Sequence, residues 1–195
     1  MKKIILILVA FLILSVTAYS VPYFKFDLAI AGTVQKISFP LFDGLMKFVS
    51  FIGDEPLMVI IIGVTGAILF LLGRRTEAVI GTLATAGSAL SGSLLKMIID
   101  RPRPSGELVH VSEWLSDKSY PSGHVLAFTV FFGFLLYWLN RKSISLILIL
   151  LIVSIGISRV YLGVHWPSDV LGGYILGIIW LFFTIRLYNS YHGKR

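Results

Sequence analysis

Cysteine is absent from the 195 residues, and charged side chains make up only 14% of them. The first absence removes disulfides and thiolate metal sites from consideration. The second falls well short of the roughly one-quarter charge content of a soluble domain. There is no internal repeat and no low-complexity linker. What fills the chain instead is apolar: 56% of residues are hydrophobic and the mean hydropathy is +0.88. Long uncharged runs of this kind point to an integral membrane protein. The length suits one domain over residues 1–195 better than two. The formal net charge is +7. The cations nevertheless fall in caps between apolar runs and form no continuous stripe, which argues against nucleic acid as a partner.

A helix crossing the hydrocarbon needs about 20 mostly apolar residues. Six segments approach this: Ile4–Ser20, Pro56–Leu72, Ala78–Ile99, Gly123–Leu139, Ile144–Val160 and Val170–Tyr188. Barrel strands would be shorter and would alternate in polarity, so the pattern predicts an all-α bundle of six transmembrane helices. Lys2 and Lys3, Arg74 and Arg75, Arg141 and Lys142, and Arg186, Lys194 and Arg195 fall on one side if six spans alternate. The positive-inside rule makes that side cytoplasmic, with both termini there. Met1–Ser20 has the basic start and apolar core of a secretory signal but is read as a retained span; its removal would leave the rest of the topology unchanged. Between the first two spans, Tyr23–Phe51 is too broken by charges and Pro40 to cross. Phe39, Leu41, Phe42, Leu45, Met46, Phe48 and Val49 suit an interfacial helix. It is either a packed outer loop or a lip that guides a lipid sideways.

Three polar islands interrupt the oily chain: Lys96 to Pro104, Pro121-Ser-Gly-His124, and Ser158 to Asp169. All fall on the extracytoplasmic side of this topology. Ionisable residues beside membrane-length apolar segments are costly and are read as functional by default. Lys96, Arg103 and Arg159 supply an anion clamp from separate segments, although any one of them alone would read as a snorkelling helix flank. Ser122 can cap the helix that follows, and Gly123 lets backbone approach an anion at a helix N-terminus. His124, at the start of that helix, suits a general acid. A neutral imidazole at His165 can attack phosphorus, with a carboxylate four residues on, Asp169, to fix its tautomer. Asp169 also complements a helix dipole behind Pro167. His110 and His192 have no motif partner and read as surface residues. No metal-ligand cluster emerges.

These islands resemble the tripartite signature of the type 2 phosphatidic acid phosphatase superfamily. Its elements are Lys, six residues, Arg-Pro (Lys96 to Arg103-Pro104); Pro-Ser-Gly-His (Pro121–His124); and Ser-Arg, five residues, His, three residues, Asp (Ser158-Arg159, His165, Asp169). No signature position departs from the pattern. The resemblance implies a phosphatase of the cytoplasmic membrane that needs neither metal nor cofactor and works through a phosphohistidine. In it His165 is the nucleophile, Asp169 its orienting partner and His124 the acid. Lys96, Arg103, Arg159, Ser122 and Gly123 would hold the phosphate, and Asp100 and Arg101 receive no catalytic role.

The implied partner is a lipid phosphate among membrane lipids, with phosphatidylglycerophosphate favoured and undecaprenyl diphosphate the alternative. Transfer to a second lipid instead of water is a further reading. A vanadate-dependent haloperoxidase shares the oxyanion cage, but those enzymes are larger and soluble. A transporter or scaffold would leave the motif positions to coincidence. Small residues such as Gly81, Gly92, Gly173 and Gly177 allow close helix packing within or between subunits, which leaves the oligomeric state open.

Overall fold

Residues 2–192 of the chain are described by a computed structural model, and they form eight helices with no strand among them. The order is α1 (Lys2–Ser20), α2 (Lys25–Gln35), α3 (Pro40–Ile52), α4 (Glu55–Leu71), α5 (Arg75–Ile99), α6 (Gly123–Leu139), α7 (Lys142–Tyr161) and α8 (Pro167–His192). Lys194, Arg195 and the side chain of His192 lie outside the described residues.

The Phe-rich α6 is apolar on every face, and such a helix belongs inside a bundle. Its neighbours are α5, α7 and α8. Val125, Leu126, Phe128, Val130, Phe131, Phe132 and Phe134 are all buried on it. Phe132 meets Phe128 and Phe131 edge to face, with centroids 4.9 and 5.1 Å apart. Small residues bring α8 close: a Cβ on Gly177 would lie 2.6 Å from the Thr129 Cβ of α6. The outer helices are inverted relative to a soluble protein. Leu6, Leu12, Val16, Leu71, Leu90 and Met97 all turn outward, as expected where the surroundings are lipid tails.

Among the described residues, four helices are long and apolar enough to cross a membrane: α1, α5, α7 and α8. α4, with 17 residues, qualifies only when joined to α3, from which it is bent by 61°. α6 is a shorter apolar helix of 17 residues. The expected second span, Pro56–Leu72, is therefore the straight arm of a broken pair. The bend falls at Gly53-Asp54, and α4 starts anew with Pro56 in its first turn, where the missing N–H costs nothing.

The single interfacial helix expected between the first two spans is two helices. α2 packs on α7 and α8, and α3 packs on α7. Met46, Val49 and Ser50 form the inner face of α3, while Leu41, Leu45, Phe48 and Phe51 are exposed. An irregular segment runs from α5 to α6. It leaves α5 through Asp100, whose φ of 52° is left-handed, a conformation Asp tolerates better than most residues. His110 is exposed, as expected, but its main chain is held in place. Gln35 Nε2 donates to its carbonyl at 2.8 Å and Gln35 Oε1 accepts from its N–H at 3.1 Å. The same carbonyl packs against Gly163, where a Cβ would lie 1.9 Å from it, and the φ of +67° there separately disfavours a side chain.

Candidate active site

Every motif side chain sits at one end of the bundle because each belongs to a helix terminus or the turn beside it. Lys96 is in the last turn of α5, and Arg103 follows in the connecting segment. Ser122, Gly123 and His124 open α6, and Arg159 is in the last turn of α7. His165 lies in the α7–α8 turn and Asp169 in the first turn of α8. The Ser122 N–H donates to the Asp169 carbonyl at 3.1 Å, which joins the second island to the third.

Arg103 joins the first island to the third. Its Nη1 donates to the Val164 carbonyl at 2.5 Å and faces His165 Nε2 at 3.3 Å. A guanidinium has no acceptor. Nε2 therefore presents its lone pair to Arg103, and a neutral ring carries its proton on Nδ1. His165 is 2% exposed. Burial holds its ring well below the usual histidine range, and Arg103, Arg159, Lys96 and His124 push the same way. The ring is thus neutral near pH 7, the form in which imidazole is a nucleophile.

Asp169 is fully buried, with Oδ2 at 3.7 Å from His165 Nδ1, longer than a hydrogen bond. Its oxygens are held elsewhere: Oδ2 accepts from the Trp166 N–H at 2.8 Å and Oδ1 from Arg101 at 2.5 Å. The carboxylate is therefore beside the ring, as its spacing predicts, but it is oriented by groups other than the ring.

Ser122 occupies the N-cap position of α6, yet its hydroxyl caps no amide; it is buried and has no partner among the described residues. Arg159, 1% exposed, donates through Nη1 to Ser50 of α3, while its Nε is likewise unpartnered. Buried donors are nearly always satisfied, yet these two, like His165 Nδ1 and Trp166 Nε1, have no partner among the described residues. A Cβ on Gly123 would meet nothing within 4 Å, so the space there is open. His124 Nε2 pairs with Asp54 Oδ1 at 3.1 Å, which ties α6 to the bend between α3 and α4.

One acid contacts two of the three cations expected to clamp the phosphate. Asp117 accepts from Lys96 Nζ and takes a forked contact from Arg103, Nη2 at 2.6 Å and Nε at 3.1 Å. Its partial burial works to raise its carboxyl, but Lys96 and Arg103 outweigh this and hold it below the usual carboxylate range.

Sequence reasoning missed Asp117, Asp54, Ser50, Asp27 and Arg101. Arg101, assigned no role by its motif position, is 1% exposed and bonded to two carboxylates. An arginine and an aspartate beside membrane-length segments were the available signal; their pairing across the fold was not.

This chain is similar over nearly its full length to known proteins. Phosphatidylglycerophosphatase B of Bacillus subtilis is 30% identical, the match covering 97% of this chain and 96% of that protein. An undecaprenyl-diphosphatase of Sulfolobus acidocaldarius is 30% identical over 76% of this chain and 71% of that protein. The crystal structure of a transmembrane PAP2-type phosphatidylglycerolphosphate phosphatase from Bacillus subtilis matches with a TM-score of 0.85 at 27% identity, covering 97% of this chain and 98% of that one. The pattern of the PAP2 superfamily matches residues 77–192; that stretch holds all three islands, and the chain belongs to the PAP2 superfamily.

Proposed function

We propose that this protein is a membrane lipid phosphatase, one catalytic unit over residues 1–195, that opens a phosphate ester or diphosphate through a phosphohistidine at His165. One observation carries the reading: buried donors without partners, Arg159 Nε and Ser122 Oγ, accompany a neutral imidazole whose lone pair faces a clamp arginine. Catalysis of phosphoryl transfer is mainly positioning and charge stabilisation. Lys96, Arg103 and Arg159 supply the positive charge, with the Ser122 hydroxyl and the open backbone at Gly123 completing the cradle. His165 Nε2 attacks phosphorus, and the bond to the leaving oxygen breaks as His124 gives that oxygen a proton. Water then attacks the phosphohistidine, with His124 now taking the proton. Asp169 stabilises the cationic ring in between. No divalent ion takes part in this sequence.

The substrate class is a lipid phosphate, and phosphatidylglycerophosphate is favoured by the relative aligned over 97% of the chain. Undecaprenyl diphosphate is the second reading, favoured by the other relative at 30% identity. On the six-span topology, with α3–α4 and α6 both crossing, the site opens on the extracytoplasmic face, and α2 and the outer face of α3 lie in the interface beside it. Phosphate release from these two lipids in mixed micelles, with excess chelator present, tests the reading. His165→Ala is expected to abolish turnover, and His124→Ala to lower it by about 10²- to 10⁴-fold. Unchanged turnover in His165→Ala would reject the nucleophile.

A further inference from the structure

Behind the site lies an ionic cluster of which the phosphate chemistry uses only Asp169. Asp27 of α2, Arg101, Ser168 and Asp169 are each at most 1% exposed. Arg101 donates through Nη2 to Asp27 Oδ2 at 3.0 Å, and through Nη1 to Asp169 Oδ1 at 2.5 Å and to Ser168 Oγ at 2.7 Å. Its Nε reaches the Pro22 carbonyl at 3.1 Å. The Ser168 hydroxyl donates to Asp27 Oδ2 at 2.8 Å, and the Ser168 N–H to Oδ1 at 2.9 Å.

Asp27 also accepts from the Phe24 N–H at 2.9 Å, and helix capping would account for that contact alone. It does not account for three buried charges in a row. Burying ions to hold a fold together is seldom favoured over apolar packing, so their arrangement calls for another reason. The charges alternate: Asp27 negative, Arg101 positive, Asp169 negative. Their sum is a single negative charge, placed against His165 Nδ1. When Nε2 bonds to phosphorus the ring becomes cationic, and the cluster with the ring becomes neutral.

We infer that Asp27 and Arg101 are positioning residues for the His165–Asp169 pair. Arg101 fixes the Asp169 carboxylate beside the ring, and Asp27 balances Arg101 so that the charge of Asp169 remains available to the imidazolium. The inference rests on His165 being the nucleophile. The groups facing that ring are Arg103 at Nε2 and Asp169 at Nδ1, with Arg159, Lys96 and His124 farther out. Asp117 is bonded to Lys96 and Arg103.

The test is the pH dependence of kcat/KM for the full-length protein on phosphatidylglycerophosphate in mixed micelles. Asp27→Asn adds one positive charge to the cluster and disfavours the protonated ring. Its acid limb is expected at lower pH than in the wild type, with kcat down about tenfold or more and KM within about threefold. Asp27→Asn combined with Arg101→Gln returns the cluster to one negative charge and is expected to bring the limb back. A wild-type limb in Asp27→Asn, whether or not kcat falls, would overturn the inference, since a merely structural role lowers activity without moving the limb. Should the charge variants not fold, Ser168→Ala keeps every charge and is expected to lower kcat about threefold; wild-type kcat there would overturn it equally. Failure of the underlying reading looks different: the wild type releases no phosphate, or His165→Ala still does.

Discussion

The carboxylate of Asp117 lies on the cations proposed to receive the phosphate, so substrate must displace it. Its side chain is 54% exposed, and an ion pair open to water is worth roughly 1 kcal/mol or less. Asp117→Asn is therefore expected to lower KM for a lipid phosphate, and the inhibition constant of vanadate, by about two- to fivefold. Steady-state kinetics on the purified variant checks this; a rise in both constants would mean that Asp117 aligns the clamp instead of competing for it. At this scale the sequence was informative wherever a residue carries its own signature. The motif spacing placed Lys96, Arg103, Ser122, His124, Arg159, His165 and Asp169 at one end of the bundle, and there they are. Asp27 and Arg101 were illegible as a pair because 74 residues separate them, and no local pattern records which buried aspartate meets which arginine.

Among the elements, apolar run length located α1, α5, α7 and α8 to within a few residues, since these helices need only to be long and oily. It did not reveal the 61° break between α3 and α4. That break depends on the contact of Asp54 with His124 and on Gly53 packing against the same ring, where a Cβ would lie 2.5 Å from His124 Cδ2. Both are contacts of the finished fold. The α6–α8 seam is similarly set by close approach. Gly177→Val would push a branched side chain into Thr129 and is expected to cost about 1–3 kcal/mol or more through overpacking. Thermal unfolding in detergent measures it, and an unchanged midpoint would show that α6 and α8 can separate freely.

For the molecule as a whole, the proposed orientation rests on the distribution of Lys and Arg, and on the six-span reading α3–α4 and α6 each cross once. A cysteine introduced at Lys118 is expected to react with an impermeant thiol reagent added to intact cells, and one at Arg141 only after lysis. The chain has no native cysteine to confuse the readout. The reverse pattern would place the site on the inner leaflet. The brevity of α6 then has a consequence for the depth of the site. Its 17 residues rise about 25 Å, against a hydrocarbon layer of about 30 Å. Because α6 is enclosed by the longer α5, α7 and α8, on the six-span reading its end stops short of the headgroup plane inside a wall of protein, with no lipid beside it to adjust. A substrate headgroup level with His124 would then sit in a recess of the protein a few ångströms below its neighbours in the leaflet, half the shortfall of about 5 Å if α6 is centred.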